Sequence, residues 1–491
     1  MVLGQQPSSY ANSHNKDLIN GLSTPNFVIL ALLICVVVVI ICLAVYIIKN
    51  PVVRSIGVVY THCSEKPLNL PHRKAFSTLG IKFISPDEIF NLAQQQGLEP
   101  QKIIYIPCSY NNSDPDIQAF FRGKKLLNDG KGMRWLSAAV LGCNKLCSKN
   151  GLWSVLETTY GRKNATQIMP ESWVIPVETT GNQLLIVKPG TAKSLPALIF
   201  KKNIQGKQGL LLTNSPAEIK KLIGDSPGPN DKYSVVQRYL EQPYLIHGRK
   251  LNIRLYVLVV VSRSVSSWWL YHAGKCIYTN RQYEPLPSGT TIRSGATGGI
   301  ELLEQHFTSL NLDPVKVYQE ERCPETLAEL QEYMLQREEN WPKIWKKIQL
   351  GLQKVARAYT RKLTSYPGSV AYQIFGVDYV LTQQPGNGIG QITPYLLEFN
   401  KGPEMKYKSP HDKELKSGLQ QDILEHVLGQ QQQQDGIVES KILLHSNFSP
   451  LISNQHPYGV YNNLRLDGKW LLLNSVNKSK TNNITKTTHK K

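Results

Sequence analysis

Two strand-like runs late in the chain, "YQIFGVDYVLT" at 372–382 and "PYLLEFN" at 394–400, constrain its fold more than any other feature. Both are rich in β-branched and aromatic residues, and Pro385, Gly386, Asn387 and Gly388 between them carry a turn signature. They read as neighbouring antiparallel strands, a pairing that brings Asp378 of the first beside Glu398 and Asn400 of the second. Residues two apart on a strand face the same way, so Glu398 and Asn400 present their oxygens to one spot. A buried polar side chain costs free energy unless something satisfies it. Two explanations stand. The acids are capped or salt-bridged residues of a strand end, or they hold a hard cation such as Mg²⁺ together with phosphate oxygens.

A second pattern is "RKLNIRLYVLVVV" at 249–261. Lys250, Asn252 and Arg254 fall on one face of a strand, with Leu251, Ile253 and Leu255 on the other. Two cations and an amide in a row can hold phosphate oxygens by charge-assisted hydrogen bonds; they can equally be the solvated face of a half-buried sheet. Lys188, closing "LLIVKP", is a further cation at a strand end.

At 491 residues the chain has room for two or three domains. Its 41% hydrophobic and 19% charged content is that of a globular protein. The formal charge of +20 favours acidic partners. No basic run interleaved with aromatics occurs, so nucleic acid is not expected. Phe27 to Ile48 carries no charge for 22 residues and is apolar on every helical face, so it reads as a transmembrane helix over 26–48. Lys49 and Arg54 just after it place the catalytic part in the cytosol of a single-pass membrane protein. Residues 1–25 read as a disordered tail, 51–170 as alternating strands and helices, and 430–491 as a Gln-rich linker and basic tail. Cys143 and Cys147 lack a second Cys/His pair to complete a zinc site, so they read as buried thiols. The glycosylation triplets at Asn111, Asn164, Asn447, Asn477 and Asn483 are discounted as chance occurrences.

Five segments then occur in order: "IVKPGTAK", "VVQRYLEQPYLIHGRKLNIRLYVLV", "HFTSLN", "IFGVDYVL" and "YLLEFNKGP". Together they resemble the tubulin–tyrosine ligase-like family of ATP-grasp amino-acid ligases, and "PESWVIP" resembles the family's approach to the first of them. The resemblance spans 170–430, and more loosely 55–170. It implies an α/β ATP-grasp fold with an N-terminal α/β subdomain at 51–170, a central ATP-grasp subdomain at 171–247 and a C-terminal one at 248–429. ATP and Mg²⁺ are the implied cofactors. Position by position, Lys188 matches a phosphate-contacting lysine, with Lys193 next in the same stretch. Gln237, Arg238 and Leu240 match the hinge that holds adenine, largely by backbone groups. Lys250 and Arg254 match residues reaching the phosphates and the acyl-phosphate intermediate, with Asn252 between them. His306 and Thr308 match a His-X-Thr-Asn segment near the nucleotide. Asp378, Glu398 and Asn400 match the magnesium ligands.

The chain departs from the family pattern in places. "SLPALIF" follows Lys193 where a Gly-rich stretch is usual, Asn252 replaces an acid, and Ser309 replaces an asparagine. "YHAGKC" stands where an arginine for the incoming amino acid's carboxylate is generally found, which leaves Lys275 and Arg281 as candidates for that task. The implied activity is an ATP- and Mg²⁺-dependent ligase joining a free amino acid, glutamate first among the candidates, to a protein carboxylate through an acyl phosphate. An acidic acceptor such as the C-terminal tails of tubulin suits the basic surface. The rival expectation is a nucleotide-binding pseudoenzyme, an anchored scaffold that keeps the fold without catalysis.

Overall fold

The computed structural model describes residues 36–38, 58–61, 70–83, 102–106, 134–175, 196–203, 209–223, 233–262, 265–294, 300–366, 369–384, 391–435 and 470–477. The chain divides into two units, Met1–Ile56 and Gly57–Lys491. Of the first, the described residues are an exposed helical fragment at 36–38. Among the described residues no helix is long and apolar enough to cross a membrane. This overturns the single-pass membrane protein expected from the sequence, and the membrane as its partner through 27–48. A span needs about 20 apolar helical residues, and those of 27–48 beyond the three at 36–38 lie outside the described residues, as does the tail at 1–25.

The second unit opens with β1 (Val58–Thr61), α1 (Leu70–Thr78), β2 (Lys82–Phe83), β3 (Lys102–Ile106) and β4 (Arg134–Ser137), whose strands pair in parallel. Then follow α2 (Asn144–Cys147), α3 (Lys149–Tyr160) and α4 (Arg162–Ala165), where the Ser148 side chain caps α3 by accepting from the Gly151 N–H. Next come β5 (Ser172–Val174), β6 (Leu198–Lys201), β7 (Leu210–Thr213), α5 (Pro216–Ile223) and β8 (Val235–Arg238). The long strand β10 (Arg249–Ser262) pairs with β9 (Leu245–Ile246), β11 (Val265–Tyr271) and β12 (Lys275–Tyr278), and β13 (Thr291–Arg293) follows. After α6 (Ile300–His306), a π-helical turn (Val315–Glu320), α7 (Leu327–Gln336) and α8 (Trp341–Tyr359) come β14 (Ser369–Gln383), β15 (Ile392–Lys401), α9 (Pro410–Asp435) and β16 (Trp470–Asn477). The architecture is mixed α/β, as the sequence predicts. Five strands form one antiparallel sheet in the order β13-β7-β6-β8-β5. The larger sheet runs β16-β11-β10-β14-β4-β3-β1-β2, with β9 and β12 on β10 and β15 on β14.

β10 explains where the site must lie. Its odd residues, Leu251 through Val261, are all buried in one core with α3 and α8. Tyr256, Leu258 and Val260 on the opposite face belong to a second core with α1 and α9. That face begins, however, with Lys250, Asn252 and Arg254, which no core covers in the same way. β14 makes the same switch, from Tyr372 and Ile374 to Asp378. One sheet face therefore changes from apolar core to polar floor along its own strands. α8 supplies much of the other core: Asn340 caps it, and Trp341, Ile344, Ile348, Leu352, Val355 and Tyr359 recur at helical spacing on its buried face.

β11 and β12 do not pair with each other across Ala273-Gly274. They lie end to end on one edge of β10, β12 beside Leu251–Arg254 and β11 beside Val257–Ser262. Gly274 makes the break possible, since a Cβ there would sit 2.6 Å from the Arg254 carbonyl oxygen.

Candidate active site

A cavity of about 400 Å³ lies between the two sheets. Arg254 and Asp378 are directly opposed in the β10–β14 ladder. The guanidinium donates from Nη2 to Asp378 Oδ2 at 2.8 Å and from Nε to Oδ1. Burial opposes the charge of Arg254, but Asp378 outweighs it and holds the proton more firmly than usual. Gly376 leaves room for this pair: a Cβ there would lie 3.2 Å from Arg254 Cδ and 3.0 Å from Pro403 Cβ. β15 places Glu398 opposite Asp378, with a register irregularity just beyond. The Asn400 amide donates to Asp378 Oδ2 at 3.2 Å and to Glu398 Oε1 at 3.0 Å. The three side chains thus gather as the hairpin pattern predicts.

Two lysines that the sequence reading passed over face Glu398. Lys149 begins α3, and Lys201 ends β6. Burial disfavours the Glu398 charge, yet these ammonium groups hold its carboxyl below the usual carboxylate range. Lys201 donates from Nζ to Gln237 Oε1 at 2.7 Å. Burial draws the Lys201 ammonium down to about 8; Glu398 restores part of the loss and Lys149 adds to it. A signal for Lys201 is present in the sequence. "ALIFKK" is a strand ending in lysine, and "NIQGKQG" after it carries the glycines sought behind Lys188. Nothing comparable marks Lys149.

Lys250 is buried, and its Nζ donates to Tyr239 Oη at 3.1 Å and the His306 carbonyl at 3.3 Å. Burial, then repulsion from Lys201, pulls it to about 7. His306 is buried beside it, with Nδ1 2.9 Å from Tyr239 Oη. Burial, then Lys250, lowers the imidazole to about 4, so the ring is neutral near pH 7. His306 Nε2 and Asn252 Oδ1 are buried polar atoms at this cavity with no hydrogen-bond partner among the described residues. Gln237, Arg238, Leu240 and Thr308 line it too. Lys188 and Lys193 lie outside the described residues.

Neither candidate for an incoming carboxylate lines the cavity. Lys275 is captured by the buried Asp412 in the first turn of α9, at 2.8 Å, and Arg281 pairs with Glu301 and Glu304 at 3.0 and 3.2 Å. Ile277 of β12 stands at the wall instead, opposite Asn252.

Among the described lining residues six cationic side chains meet three carboxylates, a balance suited to a polyanion. Asp378 and Glu398 fit Mg²⁺ in kind, being hard oxygen donors opposed on neighbouring strands. Asn400, whose NH₂ meets both carboxylates, would offer its oxygen with the amide turned over. Such a cation would share Asp378 with Arg254. Among the described residues no group of three or more His, Cys, Asp or Glu could hold a metal ion by itself.

Comparison with known proteins gives this chemistry a lineage. The profile of the tubulin-tyrosine ligase family matches residues 138–435, more than half of the chain. The rat protein (Rattus norvegicus) named "Probable tubulin polyglutamylase TTLL9" is 27% identical over 210 residues, 41% of this chain and 39% of its own length. Mouse (Mus musculus) "Tubulin monoglutamylase TTLL4" is 23% identical over 301 residues, 58% of this chain and 22% of its own. Mouse "Tubulin polyglutamylase TTLL11" is 27% identical over 276 residues, 52% of this chain and 34% of its own. The chain thus spans well under half the length of these relatives.

Proposed function

The chain belongs to the tubulin-tyrosine ligase family, and we propose that it is an ATP- and Mg²⁺-dependent ligase joining glutamate to a carboxylate of an acidic protein, with tubulin tails as acceptor. The observation that supports this most is the meeting of Lys201, Lys250 and Arg254 with Asp378, Glu398 and Asn400 around one cavity. Under this reading β5 to β8 of the five-stranded sheet belong to the central ATP-grasp subdomain at 171–247, and β10 to β12, β14 and β15 of the larger sheet to the C-terminal one at 248–429.

ATP, when bound with Mg²⁺, supplies the phosphoryl group that converts an inert carboxylate into an acyl phosphate. The chain's own task is positioning and charge neutralisation, which carry most of the catalysis in phosphoryl transfer. Ile199, Leu210, Leu240 and Phe307 offer apolar walls for the base. Backbone groups of Gln237, Arg238 and Leu240 hold its edge. Lys149, Lys201 and Lys250 meet the phosphates, a role that extends to Lys188 and Lys193. Asp378, Glu398 and Asn400 would hold the cation. Arg254, fixed by Asp378, orients the acyl oxygen. Asn252, His306 and Thr308 offer polar groups to the sugar and phosphates. No nucleophilic side chain is required, because the incoming amine attacks the acyl carbon itself, forming the amide as the bond to phosphate breaks and inorganic phosphate and a proton leave.

The test is to incubate the full chain with ATP, Mg²⁺, labelled glutamate and tubulin. Label in the C-terminal tails supports the ligase; tubulin trimmed of its tails should take none. A second reading, a nucleotide-binding protein without catalysis, is favoured by the grip of Arg254 on both oxygens of Asp378. Thermal stabilisation by ATP with no incorporated glutamate would support it.

A further inference from the structure

Gln237 sits on β8 next to β6 and opposite Ser172 of β5, 4% exposed. Its carboxamide is fully committed. Nε2 donates to Ser172 Oγ at 2.8 Å and to the Pro170 carbonyl at 3.4 Å, while Oε1 accepts from Lys201 Nζ at 2.7 Å. Ser172 Oγ in turn donates to the Pro170 carbonyl at 2.8 Å, so its lone pairs are left for Gln237. The directions allow one arrangement, because a reversed amide would press its NH₂ against an ammonium group.

The chain of contacts has a firm origin. Arg162 lies over the Trp153 and Trp173 rings, 5.4 and 4.7 Å from their centroids, and donates to Glu157, Glu171 and the Ser172 carbonyl. The stacked guanidinium fixes β5, β5 fixes Ser172, and Ser172 turns the Gln237 oxygen toward Lys201.

We propose that Gln237 and Ser172 are positioning residues that aim the Lys201 ammonium into the cavity, and that the Gln237 side chain does not read the base. This rests on the ligase reading only for the target of Lys201, the phosphates of a nucleotide. The hydrogen-bond geometry carries the rest. Loss of the Gln237 oxygen removes the nearest acceptor of a desolvated ammonium.

Two measurements on the full chain test this. In the first, without nucleotide, acylation of Lys201 by acetic anhydride at neutral pH is followed by peptide mass spectrometry, with surface lysines as internal references. Gln237→Met and Ser172→Ala should each speed labelling of Lys201 severalfold, because a less stabilised ammonium is more often a free amine. Unchanged labelling in both variants overturns the proposal. In the second, equilibrium binding of ATP and of adenosine is compared. Gln237→Met should weaken ATP by about tenfold, leave adenosine unaffected, and add nothing to Lys201→Met. Equal losses for ATP and adenosine would mean that the side chain reads the base, and additive losses would mean that Lys201 is not its target; either overturns the proposal. A wild-type chain that binds no ATP removes the ligase reading instead, while the labelling result still decides the role of Gln237.

Discussion

Arg254 and Asp378 face each other across the β10–β14 ladder, and the guanidinium takes both oxygens of the carboxylate. The pair is largely buried, with side chains 18% and 9% exposed. Removing one partner strips the other of its bidentate mate in a largely buried setting, although Glu398 still faces Arg254 and Asn400 still donates to Asp378. Asp378→Ala should therefore cost about 3–5 kcal/mol in urea unfolding. The double variant Arg254→Met/Asp378→Leu should be closer to wild type than Asp378→Ala alone. A double variant as unstable as the sum of both singles would show that the pair is not coupled.

Lys250 combines need and strain. It is a buried cation that donates to a phenol and a carbonyl, and its hydrogen-bond partners among the described residues include no carboxylate. Lys250→Met should raise the melting midpoint of the ligand-free protein by about 2–4 °C and abolish ATP binding. The sign with pH agrees: the folded-state value near 7 is below that of the unfolded chain, so stability of the wild type rises as pH climbs from 7 toward 10.5. The variant should lose that slope. A melting midpoint below wild type at pH 7 would count against this view of the residue.

His306 gives an acid-side test. Its folded value near 4 lies below the ordinary 6.5, so the unfolded chain binds more protons between those values. The stability it contributes is complete above pH 6.5 and is lost as pH falls toward 4. By pH 5 the loss should reach about 1–2 kcal/mol in urea titrations. His306→Gln should flatten this part of the difference between pH 7 and pH 5. An identical pH dependence in variant and wild type would place the protonation elsewhere.

Arg162 should behave as a structural pivot with a functional consequence. Arg162→Ala loses two indole stacks and its charge-assisted bonds to Glu157 and Glu171, for about 2–3 kcal/mol. Arg162→Lys should recover little, since an ammonium lacks the planar fork that stacks and bonds together. Recovery of full stability by lysine, measured in urea, would contradict this.

Much of the candidate site was legible because strand geometry is strict. A period of two and a hairpin turn suffice to put Asp378 beside Glu398 and Asn400, and Lys250 in line with Arg254. What stayed hidden depends on pairing between distant strands. Lys201 acquires its meaning only when β6 lies beside β8, and Lys149 only when α3 lies at the cavity. Lys275 looked available until α9 supplied Asp412 from more than a hundred residues away. The Gln run at 430–434, read as a linker, lies within α9, in keeping with the good helix propensity of glutamine. The apolar run at 27–48 was judged on hydropathy alone, and no membrane-crossing helix exists among the described residues.

The most direct measurement is the stoichiometry of the reaction. The full chain is supplied with tubulin, glutamate, ATP and Mg²⁺, and ADP release is counted against glutamate incorporated. A ligase of this kind should form one ADP for each glutamate added, and Glu398→Gln should abolish both. Absence of incorporation, with ADP at the protein-free rate across a panel of amino acids and acidic acceptors, would contradict it.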